Sequence, residues 1–189
     1  MRCFVAVDLT RPLRQPLIKL LDELPRSRDV RWCTQHQLHV TLKFLGDVPD
    51  AQIAQVKDAV GTAAAQLAPF KIKLGELGCF PSPRNPRVFW CGITDPSAGC
   101  ARWVQTADPL FADLGFEPET RAYTPHITLG RSKSSAGSEV LRDALQNTAA
   151  PPTTEMTVES VVLFESRLLP QGARYIPLAT VPFTLETPE

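Results

Sequence analysis

Apolar and polar positions along this chain follow two periods, and the switches between them mark its elements. Residues 3–9 read as a first, largely apolar strand, and Thr10 and Pro12 then announce a helix. Leu13, Leu17, Leu20, Leu21 and Leu24 recur at helical spacing until Pro25 ends the stripe. A short strand is expected over 30–33 and a longer one over 38–45. After the turn that begins at Gly46, Asp50 is placed to cap a second helix striped by Ile53, Val56, Val60 and Leu67. Residues 70–77 alternate as a half-buried strand, and 87–93 form its hairpin partner across a rigid loop over 78–86. A third helix is expected from 96 to 114, kinked at Pro109, with Gly115 just past its end. A strand within 123–131 follows, then a short helix capped by Ser138, then two closing strands over 156–165 and 174–179. Local strand pairs interleaved with helices predict an α+β fold, antiparallel sheets backed by helices. No linker is long enough to divide residues 1–189 into independent domains.

Composition narrows the picture by exclusion. The 189 residues are 43% hydrophobic and 21% charged, an ordinary globular balance. Lys plus Arg and Asp plus Glu both count 20, so no overall field draws the chain to nucleic acid or membrane, and any anion must be recognised locally. The start is too short and too quickly acidic for a signal peptide, and nothing later approaches a membrane span; a cytoplasmic location is expected. Cys3, Cys33, Cys79, Cys91 and Cys100 are odd in number and never form Cys-x-x-Cys, which argues for reduced core residues against a disulfide framework or zinc ribbon.

Candidate chemistry lies in a repeated tetrapeptide. His39-Val40-Thr41-Leu42 and His126-Ile127-Thr128-Leu129 hold two of the chain's three histidines. In a strand, successive side chains point to opposite faces, so each copy shows an imidazole and a hydroxyl side by side and buries its two aliphatic residues. Two matching halves, each giving one strand to a shared cleft, are expected. Histidine titrates near neutrality, so such a pair supplies one base and one acid for a single displacement, and the threonine hydroxyls can donate to oxygens on which charge builds. One histidine in an apolar strand is most often structural; two copies of the same texture are much harder to dismiss.

A metal site fits less well, because the motif strands offer threonines where zinc or iron would want a third His, Cys or carboxylate. His36 and His39 point to opposite faces of an extended segment. Lys43, two positions beyond Thr41, is expected to continue the His39 face and reach a phosphate. At the equivalent place Gly130 is expected to leave room for substrate, and Arg131 faces away if its strand runs on regularly. For Lys43, Arg84 and Arg131, taken singly, a solvated surface charge is the better reading.

The two motifs resemble the His-x-Thr-x pair of the 2H phosphoesterase superfamily. Met1-Arg2-Cys3-Phe4-Val5-Ala6-Val7-Asp8, Lys43-Phe44-Leu45-Gly46-Asp47 and the stretch from Phe164-Glu165-Ser166-Arg167 through Pro170-Gln171-Gly172 to Tyr175 narrow the resemblance to its RNA 2′,3′-cyclic phosphodiesterase (2′-5′ RNA ligase) family. It implies a bilobal, pseudo-twofold α+β domain spanning 1–189, two antiparallel sheets lining a central cleft, helices outside, and no metal or other cofactor. It further implies hydrolysis of an RNA 2′,3′-cyclic phosphate end to a 2′-phosphate, with reversible 2′-5′ ligation of tRNA halves as a side activity; a monomer is expected. By position, His39 is then the proton donor to the leaving 3′ oxygen, His126 the base, and Thr41 and Thr128 hold the phosphate. The competing readings are the same site on another cyclic or 2′-5′ linked nucleotide, and a cleft that binds nucleotide without turnover.

Overall fold

The computed structural model describes residues 1–169 and 172–185, so Pro170 and Gln171 of the resemblance lie outside the described residues. Thirteen main elements follow one another: β1 (Arg2–Asp8), α1 (Arg11–Glu23), β2 (Val30–Trp32), β3 (His39–Asp47), α2 (Ile53–Ala64), β4 (Phe70–Phe80), β5 (Val88–Thr94), α3 (Gly99–Asp113), β6 (His126–Ser132), α4 (Ser135–Asn147), β7 (Glu155–Val158), β8 (Ser160–Leu169) and β9 (Gly172–Pro182). The fold is α+β and all its strand pairs are antiparallel. None of the described helices is long and apolar enough to cross a membrane.

Several boundaries differ from the sequence expectation for local reasons. α3 begins at Gly99 because the Asp95 carboxylate accepts the backbone N–H groups of Gly99 and Cys100, which fixes the start three residues late. Ser134, and not Ser138, caps α4: its hydroxyl accepts from the Gly137 N–H, while Ser138 is buried inside the helix. The single closing strand expected over 156–165 is two, because β7 pairs with β4 whereas β8 pairs with β1. The residue between them, Glu159, gives its carbonyl to the Phe183 N–H as the chain crosses the molecule. Gly115 does end α3 as expected; its φ of +88° is the left-handed region that glycine enters without strain.

The strand order β7-β4-β5-β6-β3-β1-β8-β9, with β2 on β6, is nearly symmetric about its centre. The two sheets expected from the sequence are the halves of this one sheet, joined by a single registered pair, Val40 with Ile127. On either side of that junction the same pattern appears. β3 pairs with β1 as β6 pairs with β5, and each motif strand carries one extra residue at the same place: Ala6 and Val5 face Thr41 and Lys43, while Trp90 and Phe89 face Thr128 and Gly130. A bulge of this kind re-aims every side chain beyond it. Beneath the sheet the apolar residues of both halves form one continuous core, with Leu13, Leu17, Trp103, Phe111 and Leu141 from the helices against Val5, Val40, Ile127 and Leu163 from the strands.

Candidate active site

β3 and β6 place the repeated tetrapeptides as alternation requires. Val40, Leu42, Ile127 and Leu129 are buried in the core, and His39, Thr41, His126 and Thr128 are half-buried on the opposite face. The antiparallel register through Val40 and Ile127 sets His39 across from Thr128 and Thr41 across from His126. The two histidines are then diagonal neighbours, which stand roughly 7–8 Å apart in an antiparallel pair, their Cβ atoms somewhat closer. The Tyr123 hydroxyl ties the segment before β6 to this junction by donating to the Thr41 carbonyl at 2.8 Å.

Both imidazoles are held in the same way. His39 Nδ1 lies 2.8 Å from the Gln37 carbonyl and His126 Nδ1 lies 2.7 Å from the Thr124 carbonyl, in each case two residues upstream. A carbonyl only accepts, so each Nδ1 carries its hydrogen and each neutral ring keeps its lone pair on Nε2. His39 Nε2 is 3.0 Å from Thr41 Oγ1, whose hydroxyl donates to it. Burial pushes His39 down to about 4, against the Gln37 carbonyl and Asp8, with Arg14 and His126 adding to the depression. Burial also lowers His126, opposed by the Thr124 carbonyl and helped by Arg131. The charge of one imidazole is therefore felt at the other.

Each ring is backed by aromatics of its own half. Phe4 lies 4.9 Å and Tyr175 5.2 Å from His39, ring centre to ring centre, and Phe164 stacks on Phe4 at 5.3 Å. Around His126, Phe80 stands edge-on at 5.0 Å and Trp90 at 6.2 Å. None of these five was singled out from the sequence as a site residue. An isolated aromatic in an alternating strand looks the same whether it lines a cleft or fills a core.

The bulges overturn three expectations downstream of the threonines. Lys43 does not continue the His39 face: it turns to the helix side beside Val5, is only 6% exposed, and gives its ammonium to Asp108 Oδ1 at 2.6 Å and the Glu117 carbonyl at 2.9 Å. Gly130 leaves no room for substrate, because a Cβ there would stand 2.3 Å from Trp32 Cε3. One residue further on, Phe44, paired with Phe4, is 64% exposed, and its counterpart Arg131 is exposed with its charge felt at His126 and Tyr175. Arg131 thus returns to the histidine side, where a regular strand would have turned it away. His36 belongs to a short 3₁₀ turn before β3, where Nε2 is 3.3 Å from the Gln35 amide nitrogen. Among the described residues no three of His, Cys, Asp or Glu come together as a metal would need.

The model of the 2′-5′ RNA ligase superfamily matches residues 12–168 of this chain. The RNA 2′,3′-cyclic phosphodiesterase of Methanothermobacter thermautotrophicus is 34% identical over 176 residues, 92% of this chain and 94% of that protein. A crystal structure from Thermus thermophilus superposes with a TM-score of 0.79 at 26% identity, covering 97% of this chain and 98% of the other. Escherichia coli LigT in complex with 3′-AMP superposes at 0.73, with the same identity and coverage.

Proposed function

The chain belongs to the 2′-5′ RNA ligase superfamily, and from that premise we infer that it is an RNA 2′,3′-cyclic phosphodiesterase, a hydrolase that opens cyclic phosphate ends. The observation that carries the mechanism is the pair of imidazoles on one open face, each fixed through Nδ1 so that Nε2 is its reacting nitrogen. In the proposed reaction His126 Nε2 takes a proton from water as its oxygen attacks phosphorus, and the ribose O3′ leaves on the other side, taking a proton from His39 Nε2. The product is the 2′-phosphate. Thr41 and Thr128 donate to the non-bridging oxygens, where charge grows in the transition state, and Arg131 adds a positive charge on the His126 side.

His39 must be protonated to act as the acid. In the empty protein its pKa of about 4 leaves it neutral at pH 7. The anionic phosphodiester brings the opposite charge, which favours the imidazolium. The protein is proposed to work as one monomeric domain in the cytoplasm, with tRNA halves among its RNA ends. The same two histidines give 2′-5′ ligation when a 5′-hydroxyl takes the place of water: His126 accepts its proton as its oxygen attacks phosphorus, and O3′ again leaves with a proton from His39.

The test is turnover of a nucleoside 2′,3′-cyclic phosphate by chelator-treated protein. The wild type is expected to yield only the 2′-phosphate, and His39→Ala and His126→Ala each to lose about 10²–10⁴-fold in kcat, the usual worth of a positioned acid or base. Full activity in either variant, or loss of wild-type activity on chelation, refutes the assignment.

A further inference from the structure

The segment that leads from α3 into β6 is fastened twice to β3, the other motif strand. At its start Lys43, itself held by Asp108 at 2.6 Å, donates to the Glu117 carbonyl at 2.9 Å. At its end the Tyr123 hydroxyl donates to the Thr41 carbonyl at 2.8 Å. Residues 118–122 between these ties are exposed, so packing does not hold them in place. We propose that Tyr123 is a positioning residue for the phosphodiester reaction: its hydroxyl sets the separation of the two motif strands at the level of Thr41 and His126, and with it the span between the two reacting Nε2 atoms. The proposal rests on the roles assigned above.

Main-chain pairing leaves this span under-determined. β3 and β6 share one registered pair, Val40 with Ile127. The same register sets Leu42 across from Pro125, which has no N–H to carry the ladder further. The Pro125 carbonyl turns instead to β5, where it accepts the Ile93 N–H at 3.0 Å. The phenol therefore supplies a cross-strand link at the point where the ladder stops.

Its two ends give that link its weight. Tyr123 directly precedes Thr124, whose carbonyl holds His126 Nδ1 at 2.7 Å. It grips Thr41, whose hydroxyl lies 3.0 Å from His39 Nε2. One side chain thus joins the segment that orients the base to the residue that touches the acid. Burial, reinforced by Cys100 and Asp95, pushes the phenol above its ordinary value, so it remains a donor at every pH at which the histidines titrate.

The experiment removes the hydroxyl alone. Tyr123→Phe keeps the ring that packs against the core. It is compared with the wild type in turnover of a nucleoside 2′,3′-cyclic phosphate and, by titration calorimetry, in binding of a nucleoside vanadate and of the nucleoside 2′-phosphate. Vanadium in the first ligand takes the trigonal-bipyramidal geometry of the transition state, so that ligand must reach both imidazoles at once, whereas the 2′-phosphate need not. In Tyr123→Phe kcat is expected to fall by about tenfold or more, since a misplacement of ~1 Å costs about 10²-fold, with KM unchanged. Affinity for the vanadate falls by the same factor and affinity for the 2′-phosphate holds. An unchanged kcat overturns the proposal. So does equal weakening of both ligands, since the hydroxyl would then only support the fold. The calorimetric arm needs no turnover: a wild type that hydrolyses no cyclic phosphate, yet binds vanadate in a way that depends on the Tyr123 hydroxyl, sinks the hydrolase reading and leaves the positioning role standing.

Discussion

Each imidazole gives its Nδ1 proton to the carbonyl two residues before it, so the motif fixes its own tautomer with main-chain atoms. What the motif does not fix is the proton affinity, which burial depresses at both rings. This has a kinetic consequence. The pH dependence of kcat/KM reports the free enzyme and that of kcat the substrate complex. With the phosphodiester bound, its negative charge raises the His39 pKa, so the alkaline limb of kcat is expected at higher pH than that of kcat/KM. Coincident limbs would count against His39 as the acid. The same depression affects stability. The folded protein disfavours protonated His39, so as pH falls the unfolded chain binds the proton first. The contribution is complete above about 6.5 and is lost between there and about 4. Urea midpoints at pH 7 and pH 4.5 are expected to separate less in His39→Gln than in the wild type; an equal separation would mean that the folded protein holds this ring no lower than the unfolded chain does.

At the scale of elements the matched bulges decide which residues share the histidine face. Without an extra residue, Leu42 and Leu129 would face Val5 and Phe89, and the side chains beyond would alternate regularly. With it, Lys43 enters an ion pair with Asp108, Gly130 lies under the Trp32 ring, and Phe44 and Arg131 come round to the open side. Gly130 is therefore a packing residue. Trp32 has little freedom to move aside, because its Nε1 donates to the Pro25 carbonyl at 2.9 Å. Gly130→Ala is expected to destabilise the protein by about 1–3 kcal/mol, the usual cost of overpacking a filled site. Chemical denaturation reads it directly, and an unchanged midpoint would show that the indole yields.

Taken as a whole, the molecule is two pseudo-equivalent halves that meet at one registered pair but share one core. The chain passes repeatedly between them: β4 follows α2 into one half, and β8 follows β7 back into the other. Neither half can come apart without exposing the apolar surface of its partner. Urea unfolding is accordingly expected to be one cooperative transition, superimposable by tryptophan fluorescence and far-ultraviolet circular dichroism. Two resolved transitions would show the halves to be separate domains. The same sharing brings His39 and His126, from distant stretches of chain, to one face of the sheet.

Much was determined by the sequence alone, because it is encoded at short range. Apolar period and proline punctuation located the helices and strands, and alternation within His-x-Thr-Leu told which side chains would share a face. The duplication, with the family resemblance, pointed to a pseudo-twofold α+β fold and a phosphodiesterase. Tertiary structure decided what depends on partners far along the chain. The bulges arise from pairing with β1 and β5, so the fates of Lys43, Gly130 and Arg131 could not be seen in strands read one at a time. The joining of two sheets into one rested on a single contact, Val40 with Ile127. The aromatic surroundings of His39, and the cleft beside it, exist only once β1, β8 and β9 lie side by side, and those of His126 only once β4 and β5 lie beside β6, since periodicity records whether a residue is buried and not what it is buried against.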